Sequence, residues 1–129
     1  MLKLALLVLT FNPEGELRMT LSDKASLEEC QASKAQIEPV LKGAGYTVLS
    51  LLCGETDLRL TPYKDVKRRD PLTRYRVQLM GNDGFVVAPL SKGESCTASP
   101  NGRDPVFCAL SGQKVIAQGP TEVDAPAPE

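Results

Sequence analysis

The stretch MLKLALLVLTF, NPEG, ELRMTLS (residues 1–22) admits two readings, and the fold turns on the choice between them. In the first, Lys3 and the apolar run behind it form a secretory signal, which has a short basic start and an apolar stretch of about 7–15 residues. Such a signal should end in a small-residue cleavage site, and Asn12-Pro13-Glu14-Gly15 supplies none. The run is also shorter than the roughly 20 apolar residues needed to span a bilayer. In the second reading, residues 2–11 are a buried β-strand and Asn12 to Gly15 a turn, with Pro pre-set for the second turn position. Glu16 to Ser22 then alternates: Leu17, Met19 and Leu21 on one side, Glu16, Arg18, Thr20 and Ser22 on the other. A strand, a tight turn and an alternating strand make a hairpin, and the hairpin is the preferred reading.

Downstream, Ser26-Leu27-Glu28-Glu29 fits a capping box and opens a helix. Leu27, Cys30, Ile37 and Leu41 fall on one stripe at helical spacing. Pro39 is expected to kink or end the helix near Glu38, and Gly43 and Gly45 to stop it. Residues 47–53 (TVLSLLC) read as a strand, and residues 54–72 as irregular. Arg74 to Met80 alternates again, with Tyr75, Val77 and Leu79 against Arg74, Arg76 and Gln78. Gly81-Asn82-Asp83-Gly84 is a hairpin turn, Phe85 to Leu90 the returning strand, and Val106 to Leu110 a short edge strand.

The expected fold class is α+β: a small antiparallel or mixed sheet of about five strands with one main helix, in the order β-β-α-β-β-β, and an irregular C-terminal segment. Residues 1–117 are read as one domain and residues 118–129, rich in Pro and Ala, as a disordered tail. The first strand and residues 47–53 are apolar on both faces, whereas one covering helix protects only one. The second face therefore calls for cover by residues 54–72 and 92–117, by a second copy of the chain in a homodimer, or by a protein partner.

Four cysteines, Cys30, Cys53, Cys96 and Cys108, stand without any CxxC pair. A helix on its own sheet brings Cys30 near Cys53, and Cys96 with Cys108 would clasp a loop, although four cysteines allow three pairings. Paired cysteines imply a periplasmic or secreted protein. A strand at residues 2–11 with reduced thiols implies a cytoplasmic one.

Composition narrows function mostly by exclusion. The 129 residues contain no His and no Trp, and the formal net charge is -1. Without His, the Ser-His-Asp and Cys-His nucleophile pairs and His-ligated zinc are excluded. A near-neutral chain has no general pull on nucleic acid. Its dense basic stretch holds Lys64, Lys67, Arg68, Arg69, Arg74 and Arg76, flanked by Tyr63 and Tyr75. That stretch is a candidate site for an anion, an acidic partner or a nucleic-acid backbone, set against an ordinary solvated loop partly neutralised by Asp65 and Asp70. Glu55, Asp57, Asp65 and Asp70 lack the rhythm of a calcium loop and read as surface acids. Gly43-Ala44-Gly45 follows a helix, so it is a C-cap and no phosphate cradle. The expected function is a non-enzymatic binding or accessory domain that takes a protein partner and no cofactor or metal, with nucleic acid not an expected ligand. The alternatives are anion or nucleic-acid-backbone binding through residues 64–76, and a small enzyme working without His.

Overall fold

Lys3–Phe11 forms strand β1, and six consecutive residues from Ala5 to Thr10 are buried. Such a strand needs cover on both faces, since each buried aliphatic side chain contributes about 1.5–3 kcal/mol only if water is kept off it. The turn at residues 12–15 brings the chain back: Gly15, at φ +86°, donates to Asn12 O, and Asn12 Oδ1 accepts from Glu16 N. Strand β2 (Leu17–Asp23) then pairs antiparallel with β1. The structure, a computed structural model, describes residues 2–61, 72–80, 84–91 and 93–118. The expected turn residues Gly81, Asn82 and Asp83 and residues 119–129 of the expected tail 118–129 lie outside the described residues.

Helix α1 (Leu27–Gly43) starts at Ser26, whose Oγ accepts from Glu29 N at 3.0 Å. The reciprocal bond falls one residue earlier than in the expected capping box, because Glu29 Oε1 accepts from Ala25 N at 2.6 Å. Pro39 does not end the helix, which runs on to Gly43. Pro39 and Ala35, four residues before it, are both exposed, so the carbonyl that Pro39 cannot serve faces water. The helix closes at Gly45, whose φ of +90° lets Tyr46 N donate to Leu41 O. Leu27 does not join the buried stripe: it is 57% exposed, while Cys30, Ile37 and Leu41 pack inward.

Strand β3 (Thr47–Thr56) starts directly after Tyr46. Five more strands follow: β4 (Leu58–Leu60), β5 (Thr73–Leu79), β6 (Phe85–Pro89), β7 (Val106–Ser111) and β8 (Val115–Gln118). Six of these described strands form one mixed sheet in the order β3-β1-β2-β7-β5-β6, and β4 pairs with β8 in a separate two-stranded ribbon. The sheet is antiparallel except where β2 runs parallel to β7. The fold is therefore α+β, with one helix among the described residues, as the sequence implies, but two details differ. Residues 54–56, 58–60 and 115–118 are strand where an irregular chain or, at Gln118, the start of the tail is expected, and β7 lies inside the sheet and not at its edge.

Both faces of β1 are covered within the chain. On the outer face, Leu6 and Val8 pack with Cys30, Ile37 and Leu41 of α1 and with Leu51 and Cys53 of β3. The inner face is covered by the sheet itself, which curls so that Ala5, Leu7 and Leu9 meet Met19, Leu21, Tyr75, Val77, Phe85, Val87 and Ala109. The outermost strands β3 and β6 come together at Gly54, where an added Cβ would stand 2.9 Å from the Phe85 ring. Leu58 of the ribbon is buried in the same inner core.

Candidate functional site

Alternation decides which side chains the curl turns outward. On β5, Tyr75 and Val77 are buried inside, so Arg74, Arg76 and Gln78 take the outer face. On β2, Met19 and Leu21 point inward, which puts Arg18, Thr20 and Ser22 outside. Strand β7 lies between them. Leu110 is in register with Arg18 on one side and Arg74 on the other, and Cys108 is in register with Arg76. Directly opposed residues share a face, so three arginines from two strands surround Leu110 and Cys108.

Two of these arginines are held in place. Arg18 Nη2 donates to Glu16 Oε1 at 2.6 Å, and this bond, with a further one from Asn12, holds the Glu16 carboxyl below its usual range. Arg18 Nε is buried and has no hydrogen-bond partner among the described residues. Arg74 Nη2 donates to Glu94 O at 2.7 Å, while Glu94 Oε1 accepts from Ser91 N. Arg76 is exposed. Beyond β5, Ala88 and Val86 of β6 lie opposite Arg76 and Gln78, and Val86 is 48% exposed. Helix α1 packs on β3 and β1, so among the described residues no helix covers the outer face of β2, β7, β5 and β6.

The basic stretch is thus split. Arg74 and Arg76 belong to the sheet face, while Tyr63, Lys64, Asp65, Lys67, Arg68, Arg69 and Asp70 lie outside the described residues. Tyr75, which flanks that stretch in sequence, is wholly buried and donates its hydroxyl to Gln113 O at 2.8 Å. Burial pushes its pKa up to about 12, against a weaker opposing effect of a hydrogen bond with Thr73. Two features of the site escape a sequence reading. Arg18 reads there only as one polar residue of an alternating strand, because its neighbour on β7 lies some ninety positions away and pairs in parallel. Leu110 reads only as part of a short apolar run.

The cysteines stand in the two expected pairs, both at disulfide distance: Cys30 with Cys53 at 2.08 Å and Cys96 with Cys108 at 2.02 Å between sulfurs. The first ties α1 to β3 and the second ties the loop before β7 to its outer face. Among the described residues, no group of three Cys, Asp or Glu residues is placed to hold a metal ion, and no helix is long and apolar enough to cross a membrane. Glu55 is exposed on β3, with Asp57 between β3 and β4. No family model matches the chain, and no curated protein or solved structure matches it.

Proposed function

We propose that the protein is a non-enzymatic binding domain that presents the outer face of β2, β7, β5 and β6 to an acidic protein partner. The observation that supports this reading is the placement of Arg18, Arg74 and Arg76 around half-buried Leu110 on the part of the sheet that α1 leaves uncovered. Arginine forks suit carboxylates, and an apolar floor between them adds the desolvated contact that a specific interface needs. Exposed Val86 extends the apolar part of the surface.

The Arg74→Glu/Arg76→Glu double variant tests the proposal. Both positions face outward, so the fold should survive, and any partner that co-purifies with the wild-type protein from its own cells should be lost. Retention of the partner by the double variant contradicts the reading. Binding of anions or nucleic-acid backbone is a second reading, supported by Arg74 and Arg76 continuing the basic stretch from Lys64. It predicts that nuclease treatment, and not the loss of a protein, removes whatever co-purifies.

A further inference from the structure

The two disulfides differ in the surroundings of their sulfurs. Cys30, on the inner side of α1, is wholly buried against Leu6 and Val8, while its partner Cys53 is half-buried. Cys96 and Cys108 are both partly exposed, and the loop between them is exposed from Thr97 through Asp104. Attack on half-buried Cys53 would have to release a thiolate on Cys30 in an apolar site that disfavours it, whereas neither sulfur of Cys96–Cys108 is wholly buried. Charge separates them further: Cys108 is in register with exposed Arg76, and the next outward residue of β7, Leu110, is flanked by Arg18 and Arg74. Nearby guanidinium groups draw anionic reactants and stabilise a released thiolate. Arg103 and Asp104 are the charged residues on that loop, and Glu94 stands two residues before Cys96.

We propose that Cys96–Cys108 is a thiol-exchange site for small anionic thiols of the glutathione class, while Cys30–Cys53 stays closed. The incoming thiolate attacks Cys96 Sγ and forms a mixed disulfide. The Cys96–Cys108 bond breaks, and its electron pair leaves on Cys108 Sγ as a thiolate beside Arg76. A second thiolate then displaces Cys96 from the mixed disulfide. Two small thiols are oxidised to one small disulfide, and one protein disulfide is reduced to two thiols. The site shares Arg76 with the proposed partner face but needs no partner, so it stands or falls separately.

The test uses the full chain with both disulfides formed. It is treated with glutathione or with cysteamine, a cationic thiol, at matched thiolate concentrations; thiols are trapped at intervals by alkylation and located by peptide mass spectrometry. Cys96 and Cys108 should become alkylated at least about tenfold faster than Cys30 and Cys53. Taking the ratio of variant to wild-type rates cancels the intrinsic reactivity of each thiol. In Arg76→Glu the glutathione-to-cysteamine rate ratio should fall about threefold or more at low salt, and the change should shrink at high salt. Simultaneous opening of both bridges would overturn the proposal, as would an unchanged ratio in Arg76→Glu.

Discussion

At the scale of single residues, the buried amide of Gln113 substitutes for a strand segment. Its Oε1 accepts from Leu21 N at 2.8 Å, and its Nε2 donates to Leu21 O at 2.8 Å and Thr61 O at 2.7 Å. One side chain thereby continues the pairing of β2 past the end of β7 and joins it to the residue after β4. Truncation leaves two buried groups of Leu21 without partners, each costing about 1–3 kcal/mol. Gln113→Ala should therefore lower unfolding free energy by about 2–6 kcal/mol, read from urea melts. Tyr75 makes a pH-dependent contribution at the same place. Its folded pKa of about 12 lies above the ordinary value of 10.0, so the folded state holds the proton more tightly. The resulting stability is fully present below about pH 10 and is lost as pH rises through about 12. Between those limits the wild-type protein should lose stability faster with pH than Tyr75→Phe does, measured by denaturant melts at fixed pH.

At the scale of elements, α1 carries a removable defect. Pro39 withholds one backbone donor inside the helix, at an exposed position. Pro39→Ala should stabilise the protein by about 1–3 kcal/mol, with a matching rise in melting temperature. A loss of stability would show that Pro39 makes a packing contact that its exposure does not suggest. The elements also show what can be read from sequence. The two hairpins and the helix start are legible, because alternation, turn residues and a capping Ser are local signals. Strands β4 (LRL) and β8 (VIAQ) are not, since they are too short to alternate and, among the described residues, pair only with each other, from opposite ends of residues 58–118. The place of β7 is hidden for a similar reason: nothing in VFCALS says that it runs parallel to β2. The Cys30–Cys53 pair is legible because a helix following β2 and preceding β3 must lie on the sheet they share. Part of the candidate site is legible as a basic stretch, while Arg18 enters only through tertiary pairing.

At the scale of the whole molecule, the curl of the sheet turns a strand with two apolar faces into a buried one. Gly54 marks where the curl closes, because Phe85 occupies the space that any side chain there would need. Gly54→Ala should cost about 1–3 kcal/mol through overpacking. In a double-mutant cycle, Phe85→Leu should recover part of that cost, with a coupling of about 0.5 kcal/mol or more; strict additivity would argue against contact between β3 and β6. The same curl turns the arginines of β2 and β5 outward around Leu110, and the proposed function rests on that face. Its most direct test is a photo-crosslinking amino acid placed at Val86, on the face, and separately at exposed Val40 of α1, in the cells that make the protein. A crosslinked protein partner is expected from position 86, none from position 40, and the first product should be lost in Arg74→Glu/Arg76→Glu. Equal crosslinking from both positions, or a product from position 86 that survives the charge reversal, would contradict it.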